Sequence, residues 1–245
     1  MKFPRPLAFV TTVALASSLV FVTGCNKDEA TAKSSTKSAK IVEIGDLAKL
    51  QPADFFPATS GAQGTFVTEG NNAQEFVLRY SKVVKNGDAT SITMEVLQNR
   101  KVTDVSTYRA DAKGITQTSA RNGVAFNPPQ SVLPFPIKKD MEFKEFKFAG
   151  TGPYTSVATG EPTSGKLEAV SRVRGVEVID TELGKIEAVA VTSVSGYQAG
   201  KSIYRVRSTT CLAPKYGIVR VTQQIQRNDG ANNSLILKLK NFSGK

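Results

Sequence analysis

Glu75-Phe76-Val77-Leu78-Arg79-Tyr80 puts Phe76, Leu78 and Tyr80 on one side of an extended chain and Glu75, Val77 and Arg79 on the other. Asn86-Gly87 then supplies a two-residue turn, and Ile92, Met94 and Val96 alternate on the return. A period of two, broken by turn residues and resumed, is the pattern of two strands that each bury one face. This hairpin decides the class of fold.

The same pattern continues toward the C-terminus. Strands are predicted at Val105 to Arg109, Ile115 to Ala120 and Val124 to Phe126, with turns at Lys113-Gly114 and Asn122-Gly123. Pro128-Pro129 is read as a break, after which Met141 to Phe148 resumes. A Gly/Thr/Pro loop from Thr151 to Gly165 leads into Lys166 to Arg174 and Val176 to Ile179. Ile186 to Ser195, Ser202 to Leu212, Ile218 to Gln226 and Ser234 to Phe242 complete the series, with turns at Gly196–Lys201 and Asp229-Gly230. Only the neighbourhood of Gly45 to Leu50 suggests a short helix. The prediction is a mainly β fold, a single antiparallel meander sheet curled into a half-barrel or barrel-like domain. Residues 41–245 are long enough for one such domain with a sizeable core.

Upstream the composition changes. Lys2 and Arg5 open the chain, Leu7 through Val22 is an almost uncharged apolar run, and residues 1–24 hold no acidic side chain. This is the pattern of an export signal, without the basic flank that would stop it as a spanning helix. The run ends in Val22-Thr23-Gly24-Cys25, aliphatic, small, small, Cys, which resembles the lipobox of bacterial lipoproteins. The resemblance implies cleavage after residue 24 and acylation of Cys25, with two or three chains giving a stable membrane anchor at about 0.8 kcal/mol per buried methylene. Asn26 follows, where an Asp would favour inner-membrane retention, so the resemblance points to the outer membrane. Residues 25–40 carry no large apolar side chain and read as a flexible tether with a reach of roughly 20 Å. The full chain has a net charge of +11; losing Lys2 and Arg5 with the signal peptide leaves +9.

Three short stretches carry a further resemblance. Phe55-Phe56-Pro57, Leu133-Pro134-Phe135-Pro136-Ile137-Lys138 and the run from Thr210 through Cys211 and Gly217 to Arg220 resemble landmarks of an uncharacterised group of bacterial periplasmic and lipoprotein β-domains. Cys211 stands where that group usually has Trp, Lys215 where Gly is common, and Phe143 where Trp would follow the Pro segment. More distantly, such domains resemble the half-barrels of lipoprotein carriers, which implies a curved sheet able to hold acyl chains.

The chemistry is sparse. The chain has no His and no Trp, which removes Ser-His-Asp and Cys-His catalysis and imidazole metal sites together. Cys211 has no intramolecular disulfide partner once Cys25 is acylated, and its place at the end of an alternating strand suits a small buried hydrophobe. Gly196 to Ser202 imitates a phosphate-binding loop, but three residues separate its glycines, Ser195 holds the place of the first Gly, and a strand follows instead of a helix. Ser34 and Lys37 have serine-lysine spacing inside the tether, where nothing desolvates the lysine. Asp180, Glu182 and Glu187 are close in sequence but scattered by alternation, without EF-hand spacing. No catalytic residue, metal ligand or cofactor is predicted, and the chain is not expected to be an enzyme.

Charge is uneven. Between Gly200 and Lys245 there are nine basic residues and one acid, Asp229. If Val219, Val221 and Ile225 face inward, Arg220 points out; if Leu235, Leu237 and Leu239 face inward, Lys238 and Lys240 point out. With Arg205 and Arg207 these form a candidate face for anionic headgroups or an acidic protein partner. The plainer reading, and the preferred one, is a solvated surface that discourages edge-to-edge association. Nucleic acid is a poor fit without an aromatic-basic module. Two roles stay open: a module holding a lipid or other apolar ligand, and an interaction or scaffold protein with a solid interior.

Overall fold

A computed structural model describes residues 41–69, 73–120, 124–144, 148–155, 162–199, 202–230 and 232–244. The signal peptide, Cys25, the tether and the Asn122-Gly123 turn lie outside the described residues. Strand β1 (Ile41–Val42) and two 3₁₀ turns, Leu47–Lys49 and Pro52–Phe55, lead into β2 (Gln63–Thr68) and β3 (Glu75–Asn86). There follow β4 (Ala89–Gln98), β5 (Lys101–Asp111), β6 (Gly114–Ala120), β7 (Val124–Pro134), β8 (Glu142–Lys144) and β9 (Phe148–Thr155). Four long strands finish the chain after β10 (Pro162–Thr181): β11 (Gly184–Ala199), β12 (Ser202–Ala213), β13 (Gly217–Arg227) and β14 (Asn232–Ser243).

Among the described residues these strands form one sheet, in the order β7-β6-β5-β4-β3-β2-β14-β13-β12-β11-β10-β8, with β9 beside β10 and β1 beside β11. All the ladders are antiparallel except the short β1–β11 pairing. Pairing of β2 with β14 joins the two meanders, and the sheet curls into a nearly closed barrel with one unsealed seam, between β7 and β8. The seam is clasped at one end by the connection after β7: Phe135 N donates to the Lys113 carbonyl, Asp140 N donates to the Val173 carbonyl, and Val173 N donates to the Met141 carbonyl.

Several local expectations shift. β7 runs through Pro128-Pro129 instead of breaking there. Proline costs little at this place because β7 pairs only with β6, and their ladder skips between Gln117 and Ser119, so the prolines fall where no ladder hydrogen bond is needed. The first hairpin turns at Gly87-Asp88, one residue later than expected, with Asn86 and Ala89 as the closing pair. β9 and the start of β10 occupy much of the expected Thr151 to Gly165 loop, and β11 extends through Gly196 to Ala199. The expected strand from Met141 is short: β8 covers Glu142–Lys144, and 145–147 lie outside the described residues. β10 is continuous past Gly175, where a bulge shifts the register against β11.

Inside the barrel two regions differ. On β2, β3, β4 and β14 most inward side chains are apolar, with Phe66, Phe76, Leu78, Ile92, Met94, Val96, Leu237 and Leu239 all buried and Thr68, at the end of β2, accepting from the Gln74 amide. The Pro52–Phe55 turn pushes Phe55 and Phe56 into this region from one end. Phe55 meets Phe135 edge-on at 6.0 Å, and Phe56 lies 6.2 Å from Tyr80 and 6.1 Å from Tyr108 between ring centres. Fully burying aromatic side chains of this size stabilises by about 1.5–3 kcal/mol each. Tyr80 Oη donates to the Tyr216 carbonyl at 3.1 Å, and burial holds both tyrosine phenols protonated far above the ordinary range. Gly217 sits against that hydroxyl at φ +74°; an added Cβ would lie 1.9 Å from Tyr80 Oη, so only glycine fits.

On the strands flanking the seam the inward positions turn polar. Ser171, Ser193, Ser208 and Gln223 are successive ladder partners across β10, β11, β12 and β13, and each is at most 5 % exposed. On the other flank Tyr108, Gln117 and Gln130 are partners across β5, β6 and β7, with Asp104 and Ser106 buried further along β5. Gln117 Nε2 donates to the Ser119 carbonyl at 3.3 Å, while Gln117 Oε1 and the hydroxyls of Ser193 and Ser208 accept from no protein donor among the described residues. A buried polar atom left unmatched costs about 1–3 kcal/mol, so these positions are expensive as mere packing.

Candidate functional site

The three sequence landmarks meet at the plugged end of the barrel. The backbone N–H of Lys215 donates to the Asp54 carbonyl at 2.7 Å, which ties the β12–β13 turn to the Phe55-Phe56 segment, and Phe135 meets Phe55 edge-on. Beside this junction lies a groove of about 740 Å³. Its wall is apolar, built from Ile44, Leu50, Phe56, Val83, Ile186 and Tyr216, and the first described segment, Val42 to Ile44, forms one side. A volume of this size falls within the roughly 300–1,000 Å³ of small-ligand sites.

Charges sit at its margin. Three acids line it: Glu43 is exposed, Glu187 Oε2 accepts from the Ile44 amide at 2.9 Å, and Asp54 Oδ2 accepts from the Gln51 amide at 2.7 Å, closing the capping box of the 3₁₀ turn. Lys85 and Lys215 line the same groove and form no ion pair among the described residues. Lys215 is fixed by its turn, where φ is +69°. The arrangement can hold an apolar body and offer two ammonium groups to an anionic end. Among the described residues no group of acids or thiols converges as metal ligands.

The basic residues on β12, β13 and β14 divide into two sets. Arg220 and Lys238 are ladder partners on the outer face, with Lys240 two residues further along β14. Both lysines have acidic partners: Lys238 pairs with Glu69, and Lys240 Nζ donates to Glu75 Oε1, a contact that raises the ammonium pKa. Arg220 is half-buried against Cys211, its ladder partner. Burial pushes the Cys211 thiol up to about 12, with the Glu177 charge adding to the shift and Arg220 opposing it, so the thiol is inert at neutral pH. Arg205 and Arg207, by contrast, are exposed opposite Gln226 and Gln224. Six residues of strand, about 20 Å, separate Arg205 from Cys211 and the Arg220 set. The carboxylates of the β10–β11 hairpin also separate: Asp180 Oδ1 accepts from Lys185 Nζ at 2.8 Å on the outside, while Glu187 turns to the groove.

Sequence reasoning reached neither Lys85 nor the groove. A signal was present, since two of the three landmarks supply its lining through Phe56, Pro57, Ala213, Pro214, Lys215 and Tyr216. What the sequence could not show is that the landmarks converge.

No protein-family model matches the chain, and no curated protein matches it. Two solved structures are similar. One, from Parabacteroides distasonis and described as a lipoprotein, has a TM-score of 0.51 at 12% identity, covering 77% of this chain and 98% of its own. The other, from Bacteroides fragilis and described as an exported protein with a YmcC-like fold, has a TM-score of 0.49 at 14% identity, with coverage of 77% and 98%. At such identity the Parabacteroides structure shares the fold alone.

Proposed function

We propose that the chain is a bacterial envelope lipoprotein, anchored through acyl chains on Cys25 and sited at the outer membrane, whose barrel is a non-catalytic module binding an anionic amphiphile. The observation that carries the reading is the groove: an apolar wall of ligand size, with Lys85 and Lys215 unpaired at its margin. Its position supports the same role, because Val42, at the start of the described chain, lines it. A ligand held there would enter from the side of the domain nearest the tether. The description of the Parabacteroides relative as a lipoprotein is in keeping with the anchor.

The test is native mass spectrometry of the full chain in mild detergent with lauric acid added, followed by denaturing mass on the same sample. The expected result is one laurate adduct that Lys85→Glu with Lys215→Glu abolishes, on a chain that begins at acylated Cys25. No adduct, or one that survives both charge reversals, removes the groove as the site; an unmodified Cys25 removes the anchor. A second reading has one observation in its favour: Arg205 and Arg207 are exposed without acidic partners among the described residues, and would suit an acidic protein partner. Crosslinking that depends on those two arginines would move the weight to it.

A further inference from the structure

The wall of the groove leads straight back to the N-terminus. Val42, Glu43 and Ile44 line it, and β1 pairs Val42 with Ile186, another lining residue, so the described chain begins on the groove itself. Residues 26–41 are all that separate Cys25 from this wall. A flexible chain of that length has a root-mean-square reach of roughly 20 Å and spans roughly 50 Å when fully extended. An acyl chain on Cys25 is therefore held within range of the groove, at an effective concentration on the order of millimolar. The charges match as well. Asp28 and Glu29, three and four residues after Cys25, are the acids of residues 26–40, and every other charge there is a lysine. At the groove, Lys85 and Lys215 are exposed and form no ion pair among the described residues. Glu43, its exposed acid, suits the basic part of the tether nearer the domain, Lys33, Lys37 and Lys40.

We infer, resting on the anchor and the groove proposed above, that the groove's resident occupant is the chain's own N-terminus: one acyl chain of Cys25 along the apolar wall, with Asp28 and Glu29 at Lys85 and Lys215. An acyl chain followed within four residues by two carboxylates is itself an anionic amphiphile, the class of ligand that an apolar wall with two unpaired ammonium groups selects. A small-ligand volume of about 740 Å³ takes one chain, and the two that stay in the bilayer keep the anchor, because two lipid signals suffice for stable binding. Moving one chain from bilayer to groove exchanges one apolar environment for another, so the burial of its methylenes is largely kept. The two carboxylate–ammonium pairs then bias the exchange toward the groove. A free amphiphile binds by displacing this chain, which releases the domain from the bilayer surface to the full reach of its tether.

Photocrosslinking of the lipidated chain in its own envelope membranes tests it, with Val83→p-benzoylphenylalanine setting the probe on the half-buried wall of the groove. The expected product joins residue 83 to the acylated Cys25 peptide of the same molecule, and Asp28→Lys with Glu29→Lys, or added laurate, reduces it about tenfold. Adding Lys85→Glu with Lys215→Glu to the tether variant restores it, since both sets of charges are then reversed. A crosslink to unattached lipid alone, or a dimer-sized product through a second copy's Cys25, overturns the inference and leaves the groove as a lipid site. No crosslink to any acyl chain, from a variant that melts as the wild type does, overturns the inference and the groove together. Laurate titration by native mass spectrometry checks the same point with the groove unaltered. Asp28→Lys with Glu29→Lys should bind laurate about tenfold more tightly than the wild-type chain, and equal affinity overturns self-occupancy while the groove stands.

Discussion

The apolar half of the barrel and the half beside its seam are built from strands of the same kind, yet they spend their inward positions differently. Around Phe55, Phe56 and Tyr80 each inward group is packed, and the Tyr80 hydroxyl is hydrogen-bonded. Along Ser171, Ser193 and Ser208 the positions are equally buried but the groups are small and polar, and the Ser193 and Ser208 hydroxyls are unmatched among the described residues. The lesson is that burial alone does not identify a core. Stability comes from burial of apolar area and from matched polar atoms, so the first region holds the fold together and the second contributes less to it.

If that division is right, mutations should separate the halves. Phe55→Ala removes a fully buried ring from the plug and should cost about 3–5 kcal/mol, read as a lower urea midpoint at unchanged slope. Tyr80→Phe deletes one hydrogen bond and leaves the Tyr216 carbonyl without that donor, for about 1 kcal/mol by the same melt. Ser193→Ala with Ser208→Ala, though equally buried, should be neutral or slightly stabilising; a loss as large as that of Tyr80→Phe would erase the comparison. Smallest is Lys240→Gln, whose exposed pair with Glu75 should give no change detectable in the melt, at low or high salt.

Cys211 gives a readout of the outer face of β12 without mutation. Its folded pKa, about 12, lies above the free thiol value of about 9, so folding holds the thiol protonated between those limits. That contribution to stability is complete below pH ~9 and fades as pH rises toward the folded value. Maleimide labelling at neutral pH should therefore be absent in the native protein and complete in urea. Rapid native labelling would show that the outer face of β12 opens without unfolding.

How far the sequence led depended on which residues set each feature. The alternation of Phe76, Leu78 and Tyr80 against Ile92, Met94 and Val96 predicts the first hairpin because it follows from backbone pleating alone, and the 3₁₀ turn at Leu47–Lys49 falls within the expected short helix. Pro128-Pro129 misled, since whether proline breaks a strand depends on its neighbour, and an edge beside a register skip is invisible in one dimension. The polar rows left a trace: Ser208 interrupts Val206 and Thr210, and Gln223 interrupts Val221 and Ile225, both at inward positions. The groove left no comparable trace, because Val83 and Lys85 on β3 approach Lys215 only through closure of the whole sheet. The basic residues were readable as outward side chains, but Glu69 and Glu75, which pair with Lys238 and Lys240, come from the opposite end of the chain.

The β2–β14 ladder sets Gln63–Thr68 beside residues near the C-terminus, whereas the gap in the sheet falls mid-chain between β7 and β8. Each meander can assemble from neighbouring hairpins as it emerges, but the two cannot join until the last strand arrives. Closure of a loop that long is entropically slow, and folding rates fall as such distant pairings dominate. The barrel is therefore a structure completed only when the whole chain is present, and a chain crossing a membrane from its N-terminus would stay in two unjoined halves until β14 had passed.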